Sequence, residues 1–368
     1  MTMQIDGSNG WTFNDGSTQK TAYTPGMRNR IINGAMMIDQ RNAGASVTPS
    51  GLAGTYTLDR WCFYASATAK YTTQQNAGAV TPPTGFKNYL GITSSSAYSV
   101  TSTDNHFFGQ KIEGLNCADL AWGTVNAQPI VIGFWARSSL TGTFGGSLTN
   151  ANQSRCYPFT YTINSANTWE YKTVNIAGDT TGTWNTDNTV GLWLNFNLGT
   201  GTTYSGTAGV WASTTYVSAT GTVNLIGTNA ATLYITGVQL EKGSTATLFE
   251  YRPYGQELAL CQRYFWLAKP GASSSGFMSG LIYGATTAIY GYQFQTAMRA
   301  SPTVGYSALS DFNVIGGSMV LTPSSIAVGT ASPYQMRIDF GIIGGTTGQG
   351  SVLQSANANT YLSFNAEL

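Results

Sequence analysis

The chain has 368 residues, of which 17 are Lys or Arg, 16 are Asp or Glu and one is His, so only 9% is charged. About 25% is usual in a globular protein. A net charge of +1, with Lys and Arg scattered singly, offers no basic patch, so nucleic-acid binding is not expected. No apolar run reaches the roughly 18 residues of a membrane span. The N-terminus lacks the charged and apolar regions of a secretory signal. We therefore expect neither a membrane span nor a secretory signal.

Metal and redox chemistry have little material in this sequence. The single histidine, His106, leaves no histidine pair for a metal site. The four cysteines form no CxxC pair, which argues against zinc. Cys62 and Cys261 lie in apolar segments, which favours reduced core cysteines and synthesis in a reducing cytoplasm. We therefore expect no metal and no cofactor.

The N-terminal 55 residues differ from the rest of the chain. Residues 1–26 are rich in Gly, Ser, Thr and Asn, and the turn residues Asn14, Asp15 and Gly16 predict a short hairpin. A hairpin of this size is marginally stable alone, so we expect it to pair with a larger body or with another chain. Residues 27–55 are mixed in character and are assigned to the same N-terminal segment.

From residue 56 to residue 252 the pattern is that of β-strands. Runs such as RWCFYAS, PIVIGFWARSS, VGLWLNFNL and TLYITGVQL are rich in β-branched and aromatic residues, and Gly, Thr, Asn and Asp separate them. No helical period interrupts these runs. The pattern predicts an all-β fold, an antiparallel β-sandwich of jelly-roll type.

One segment after the sandwich has a helical pattern. In YGQELALCQRYFWLA the apolar residues Leu258, Cys261 and Phe265 recur at i, i+3 and i+7. We therefore predict a short linker helix within residues 253–270. Strand-like runs return in residues 271–368, which predicts a smaller C-terminal β domain.

Catalytic constellations are sparse. A glycoside hydrolase needs two carboxylates about 5–10 Å apart, and the best pair is Asp179 and Asp187, which flank a turn containing Trp184. The same aspartates are more simply explained as caps that accept turn N–H groups. The chain has no GxSxG, no P-loop and no GxGxxG after a strand. His106 suits a hydrogen-bonded or exposed loop position better than a catalytic one. We therefore expect no enzyme, with a polysaccharide depolymerase as the alternative.

Carbohydrate binding has better material, because aromatic residues make up 12% of the chain and sugar C–H faces stack on aromatic rings. Strand alternation assigns the faces of two runs. Leu192, Leu194, Phe196 and Leu198 point to a core in one run, as Ile130, Ile132 and Phe134 do in the other. If the two strands share a sheet, its outer face forms one candidate glycan groove. The residues of this groove are Trp135, Arg137, Trp193, Asn195 and Asn197.

Two further aromatic patches are candidates for the same chemistry. One lies in Gly- and Thr-rich loops, and the other lies in the C-terminal domain. For all three patches the alternative is a subunit interface or a satellite core, which is the commoner role of an aromatic residue on a sheet face. The loop patch comprises Trp184, Tyr204 and Trp211, and the C-terminal patch comprises Tyr283, Tyr290 and Tyr292.

Several motifs resemble those of bacteriophage and prophage tail fibres. WTFNDGSTQKTA (11–22) resembles the hairpin that precedes their fibre domains. RNRIINGAMMIDQRNAG (28–44) and YTLDRW (56–61) resemble the opening of a tail-fibre module. The long run LYITGVQLEKGSTATLFEYRPYGQELALCQRYF (233–265) resembles the end of that module and its exit helix. The closing runs FQTAMRASPTV and TYLSFNAEL are similar to C-terminal fibre domains, so the resemblance covers nearly the whole chain.

The resemblance implies a receptor-binding fibre, commonly a homotrimer, with a module similar to carbohydrate-binding jelly rolls. It implies attachment to other tail or baseplate proteins through residues 1–55, a receptor-facing tip at residues 271–368 and a host surface polysaccharide as ligand. The protein would be made in the host cytoplasm and would act on the virion. About 26 residues stand where many fibres have a long shaft, which suggests a compact fibre. A purely structural baseplate or collar component is the third possibility.

Overall fold

The computed structural model describes residues 27–368, together with the strand residues of the N-terminal segment. These short strands form one antiparallel sheet in chain order. Strands β2 and β3 pair on either side of the predicted turn, but Asn14, Asp15 and Gly16 themselves lie outside the described residues. The strands are β1 (Ile5–Asp6), β2 (Gly10–Thr12) and β3 (Thr18–Gln19).

The predicted all-β fold is confirmed, and residues 27–252 form a β-sandwich with two sheets. One sheet has the order β11-β10-β13-β8-β5-β4, and the other has the order β12-β9-β16-β7-β6. Neighbouring strands in both sheets are antiparallel. The strands of the two sheets are β4 (Gly51–Tyr56), β5 (Cys62–Ala65), β6 (Tyr71–Gln75), β7 (Leu90–Ser94), β8 (Asn105–Glu113), β9 (Ile130–Ser138), β10 (Gly142–Thr149), β11 (Cys156–Ile163), β12 (Glu170–Ile176), β13 (Val190–Thr200) and β16 (Thr232–Lys242). Two short strands between β13 and β16, β14 (Ser205–Gly206) and β15 (Ser218–Ala219), form a separate parallel pair.

The core between the two sheets follows the alternation of the sequence. Leu194 and Phe196 of β13 meet Ile132 and Phe134 of β9 in one cluster of buried side chains. The rings of Phe134 and Phe196 lie 5.1 Å apart and nearly perpendicular. Because apolar residues at every second position face the same side of a strand, each sheet buries one face here.

The segment 27–55 belongs to the sandwich, which corrects the domain boundary expected at residue 55. Ile31 and Met36 are fully buried in the main core. The backbone N–H of Arg30 donates to Leu240 at 2.8 Å, and strand β4 forms the edge of the six-stranded sheet. The sequence pattern missed this because the segment joins the sheets through single long-range contacts rather than through a long alternating strand.

The C-terminal part of the chain contains one helix, a three-stranded sheet β17-β26-β20 and a seven-stranded sheet β22-β21-β25-β18-β19-β24-β23. No helix among the described residues is long and apolar enough to cross a membrane. The elements are α1 (Tyr254–Gln262), β17 (Phe265–Ala268), β18 (Gly276–Gly284), β19 (Thr287–Gln293), β20 (Thr303–Tyr306), β21 (Phe312–Gly316), β22 (Met319–Leu321), β23 (Ser325–Ala331), β24 (Gln335–Gly341), β25 (Gly350–Ser355) and β26 (Leu362–Asn365). Short 3₁₀ helices occupy Ala77–Ala79, Gly114–Asn116, Ala118–Leu120, Thr202–Tyr204, Leu225–Gly227 and Leu309–Asp311.

The helix is shorter than the predicted range of 253–270, because Phe265 begins β17 and pairs with Asn365 of β26. Cys261 is fully buried, and it clusters with Tyr264 and with Ile32 of the sandwich. The apolar side of the helix therefore docks on the sandwich, whereas Phe265 is already part of the C-terminal domain.

Ion pairs join the C-terminal domain to the sandwich. The Glu113 carboxylate at the end of β8 accepts hydrogen bonds from Arg263 at 2.5 and 2.9 Å and from the Tyr264 hydroxyl at 2.6 Å. Arg41 and Arg60 of the sandwich pair with Glu367 beyond β26. These charges are mostly buried, so they fix the contact between the two domains by directional bonds.

Candidate functional site

The two strands proposed to share a glycan groove lie in different sheets. Trp135 and Arg137 are on β9 in the five-stranded sheet, whereas Trp193, Asn195 and Asn197 are on β13 in the six-stranded sheet. Both sets point away from the core, as alternation predicts. They therefore occupy opposite outer faces of the sandwich, and the single groove expected from the sequence is wrong.

The outer face of the six-stranded sheet is covered by the chain itself. Trp193, Asn195 and Asn197 are 8%, 0% and 3% exposed. The Asn197 amide donates to Thr222 at 3.1 Å, and Trp193 packs in a cluster with Val217. Because the excursion between β13 and β16 lies on this face, these three side chains are structural and are not accessible to a glycan.

One part of the outer face of the five-stranded sheet keeps aromatic residues near solvent, whereas Tyr234 of β16 on the same face is buried in a cluster with Ala77 and Tyr89. Trp135 is half-buried and pairs across the strands with Tyr171 of β12. Their ring centroids are 5.5 Å apart at an interplanar angle of 56°, and Tyr171 is 42% exposed. The sequence pattern did not single out Tyr171. Alternation could have placed it on the outer face, because the apolar residues Val174 and Ile176 lie on the opposite, buried face of β12.

Two glycines determine where these rings lie. A Cβ atom at Gly133 of β9 would collide with the Tyr171 hydroxyl, so the missing side chain makes room for the ring. Gly237 has φ of +62° at an irregularity in β16. A Cβ there would lie 2.6 Å from Phe86 and 3.2 Å from Trp135. Glycine adopts a positive φ more readily than other residues, and the space left by the missing Cβ lets Phe86 and Trp135 lie side by side over Gly237.

Further rings extend the surface beyond Trp135. The centroid of Phe86 lies 5.2 Å from Phe249 and 5.4 Å from Tyr251, which is 50% exposed. The Tyr251 hydroxyl donates to the Gly85 carbonyl, which fixes the ring. We call this surface the aromatic strip, and its members are Phe86, Trp135, Tyr171, Phe249 and Tyr251.

Polar side chains border the aromatic strip. Thr173 and Asn175 follow Tyr171 on the same face of β12, and both are exposed. Arg137 follows Trp135 on β9, where its Nε donates to the Asn167 carbonyl at 2.9 Å. Exposed rings beside hydroxyl, amide and guanidinium groups form a surface that can stack on a sugar and hydrogen-bond its hydroxyls.

The loop patch is divided by the structure. Trp184 and Trp211 meet Trp122 in mutually perpendicular contacts with centroids 4.8 to 5.6 Å apart. Their indole N–H groups donate to the Thr181 and Ala177 carbonyls at 3.0 and 2.9 Å. The three rings pack on one another and on the main core, so they form a satellite core. Tyr204 packs elsewhere, in the cluster of the covered face.

The C-terminal patch is likewise not one surface. Tyr290 is 1% exposed, and its hydroxyl lies 3.0 Å from the Ser351 hydroxyl in the core. Tyr292 is half-buried and stacks on Phe364 at 4.7 Å. Tyr283 is 66% exposed. Tyr283 is thus the only exposed ring among these three tyrosines.

Hydrogen bonds hold both members of the candidate acid pair, Asp179 and Asp187, in turns. Burial alone would raise the pKa of Asp179, but hydrogen bonds from Arg155 and Thr181 outweigh burial and hold the pKa below its ordinary value. The Thr189 hydroxyl and backbone N–H lower the pKa of Asp187 in the same way. A general acid needs a raised pKa, whereas both aspartates are held ionised in turns.

The histidine is a structural residue of the sandwich. His106 is fully buried on β8 rather than in a loop. Its Nε2 lies 3.1 Å from the Ser66 hydroxyl, and burial lowers the pKa of the ring to about 4. A neutral, enclosed imidazole of this kind contributes packing and one hydrogen bond.

No family model and no curated protein matches the chain. Among solved structures, the enzymatically active domain of tailspike protein 4 of bacteriophage CBA120 has 14% identity and a TM-score of 0.32, covering 59% of this chain and 22% of that one. A family 11 carbohydrate-binding module of Clostridium thermocellum, in complex with a β-1,3-1,4-mixed-linked tetrasaccharide, has 10% identity and a TM-score of 0.28, covering 55% and 98%. A CBM4 structure has 16% identity and a TM-score of 0.28, covering 57% and 98%. These values describe a likeness in fold, and function rests on the side chains.

Proposed function

We propose that this protein is a non-catalytic adhesin that binds a bacterial surface polysaccharide through the aromatic strip. The observation that carries the proposal is the cross-strand pair of half-buried Trp135 and exposed Tyr171. The exposed side chains of Thr173 and Asn175 border this pair and have no hydrogen-bond partner among the described residues. Aromatic faces attract the C–H faces of sugars, and hydroxyl and amide groups match sugar hydroxyls.

The shape of the surface favours an extended ligand over a small molecule. The strip lies on the uncovered part of the outer face and runs from β12 across β9 to the segment that contains Phe249 and Tyr251. Neighbouring strands are about 4.8 Å apart, so a ligand that crosses the strip contacts several rings in sequence. A chain of sugar units fits such a surface, because each unit offers a similar stacking face.

We further propose that the protein is a homotrimeric tail-fibre subunit of a virion, with its N-terminus toward the tail or baseplate. The motif resemblance over nearly the whole chain supports this proposal. Three shallow sites on one assembly would convert weak sugar binding into useful avidity. Light scattering of the purified protein is expected to give about three times the chain mass of 39.1 kDa. A monomer near 39.1 kDa would contradict the assembly.

The binding site is tested by single substitutions in the full-length protein. Trp135→Ala and Tyr171→Ala are each expected to weaken binding of fluorescent protein to susceptible bacterial cells by about tenfold or more, because each removes a stacking ring. Tyr334→Ala is the matched control, since Tyr334 is 69% exposed in the C-terminal domain. Unchanged staining by both strip variants would contradict the assigned site.

The same material tests the enzymatic alternative. Incubation of the protein with host capsule is expected to release no new reducing ends, because Asp179 and Asp187 are held ionised in turns. A rise in reducing ends that is lost on Asp179→Asn would overturn the non-catalytic assignment.

A further inference from the structure

Arg137 differs from the other arginines in how its guanidinium is used. Eight of the ten arginines have a carboxylate within ion-pair distance, and Arg299 donates through Nε, Nη1 and Nη2 to backbone carbonyls. Arg137 donates only through Nε among the residues that the structure describes, which leaves Nη1 and Nη2 uncommitted. The ion-paired arginines are Arg28, Arg30, Arg41, Arg60, Arg155, Arg252, Arg263 and Arg337.

The guanidinium of Arg137 is nevertheless held in place. Its Nε donates to the Asn167 carbonyl at 2.9 Å. The guanidinium carbon Cζ lies 5.4 Å from the ring centroid of Tyr234, which is the cross-strand partner of Arg137 on β16. The hydrogen bond and the ring restrict the side chain, so little further entropy is lost when the Nη groups bind a ligand.

The carboxylates on both strands that flank β9 are already committed. Glu241 of β16 accepts hydrogen bonds from the Gln239 amide and from the backbone N–H and hydroxyl of Thr247, and it lies 3.6 Å from the Arg28 guanidinium. Glu170 of β12 accepts hydrogen bonds from Lys172, from the backbone and amide of Asn164 and from the backbone of Ser165. The Lys172 ammonium and these donors lower the pKa of Glu170 to about 2, so its charge is neutralised locally. Arg137 has no carboxylate partner in the part of the chain that the structure describes, so it presents a positive charge beside the strip.

We propose that the polysaccharide bound by the aromatic strip is acidic, and that Arg137 binds the carboxylate of one sugar unit through Nη1 and Nη2. This inference rests on the proposed function. Trp135 and Arg137 are two residues apart on one face of β9, a spacing of about 7 Å. A sugar stacked on Trp135 thus places a substituent toward the guanidinium. The planar fork of two N–H groups matches the two oxygens of a carboxylate.

The test uses the full-length protein and two sets of polysaccharide probes, one acidic and one neutral. The acidic probes are polygalacturonate, hyaluronan and polysialic acid, and the neutral probes are carboxyl-reduced polygalacturonate and dextran. Affinity electrophoresis is expected to show retardation by at least one acidic probe. Arg137→Gln is expected to weaken that binding by about tenfold to a hundredfold, the range of a charge-assisted hydrogen bond. Arg137→Lys keeps the positive charge but loses the planar fork of two N–H groups. Its affinity for the acidic probe is expected to lie between those of the wild-type protein and Arg137→Gln.

Lys269→Gln is the matched control, because it removes one positive charge from an exposed position in the C-terminal domain. It is expected to leave binding unchanged. If Arg137→Gln has the same melting temperature as the wild-type protein, its weaker binding is not caused by a loss of folded protein. Raising the salt concentration is expected to weaken wild-type binding more than Arg137→Gln binding.

The possible results separate the two proposals. Binding of neutral probes that depends on Trp135 but not on Arg137 would overturn the acidic-ligand inference and leave the proposed function standing. Binding of an acidic probe that survives Arg137→Gln would also overturn the inference. Binding of no probe in either set would contradict carbohydrate binding itself.

Discussion

Acidification is expected to act on the sandwich through two buried groups of opposite effect. His106 is fully buried, and burial lowers the pKa of its ring to about 4, whereas an unfolded chain has a histidine pKa of about 6.5. The unfolded state therefore binds a proton first. The stability that the neutral ring contributes is present above about pH 6.5 and is lost as the pH falls through about 4. The loss is about 3 kcal/mol by linkage.

Asp59 titrates with the opposite sign. It is fully buried, and its carboxylate accepts hydrogen bonds from the backbone and amide of Gln40 at 2.7 and 2.9 Å. Burial raises the pKa of Asp59 to about 6, although Arg41 and Gln40 act to lower it. The folded state therefore binds the proton more tightly. The contribution of Asp59 is present below about pH 4 and is lost as the pH rises through about 6, again by about 3 kcal/mol.

The two contributions nearly cancel, so the free energy of unfolding of the wild-type sandwich is expected to vary little between about pH 4.5 and pH 7. His106→Gln leaves the Asp59 titration, and its stability is expected to rise as the pH falls. Asp59→Asn leaves the His106 titration, and its stability is expected to fall. Denaturant unfolding followed by tryptophan fluorescence reports on this domain, because seven of the nine tryptophans lie between Trp61 and Trp211. If the free energy of unfolding of both variants depends on pH as that of the wild-type protein does, the assignment of these titrations to His106 and Asp59 is wrong.

Three further predictions concern packing and the contact between the domains. Glu113→Gln is expected to cost about 3 kcal/mol, because it leaves a guanidinium without its carboxylate. The double variant Glu113→Gln with Arg263→Met is expected to cost less than the sum of the two single changes, as measured by calorimetry. Trp184→Ala is expected to destabilise the sandwich by about 2 kcal/mol and to leave glycan affinity unchanged, whereas lost affinity would return the loop patch to the binding site. Gly109→Ala is expected to lower the melting temperature steeply, because a Cβ there would collide with a carbonyl of β13, whereas Gly291→Ala has open space and is expected to be neutral.

Alternation in the sequence predicts side-chain faces well but does not identify the sheet to which a strand belongs. Alternation predicts core positions for Phe134 and Phe196, and the two rings meet in the core. It predicts outer faces for Trp135 and Trp193, and both lie on outer faces. Sheet membership depends on pairing between strands far apart in sequence, and β9 and β13 are separated by three strands that divide between the two sheets. No local pattern carries that information.

The sequence pattern also does not predict which residues on an outer face are exposed to solvent. Trp193 is covered by the excursion between β13 and β16, a stretch whose Gly- and Thr-rich composition indicates only a loop. Tyr171 was within reach, because Val174 and Ile176 fix the inner face of β12. The difference is that Tyr171 follows from its own strand, whereas the cover on Trp193 follows from a tertiary contact.

The low charge content of the chain bears directly on the candidate site. Some of the buried ion pairs join segments distant in sequence, as Arg60 does with Glu367 and Arg263 does with Glu113. The chain has only 16 acidic residues, and the two carboxylates next to the aromatic strip, Glu241 and Glu250, already pair with Arg28 and Arg252. A protein with an ordinary density of surface acids would neutralise a guanidinium such as that of Arg137 with its own side chains. We infer that the scarcity of acids leaves the charge of Arg137 for a ligand. Arg137→Gln is therefore expected to weaken binding of an acidic polysaccharide and to leave binding of a neutral one unchanged.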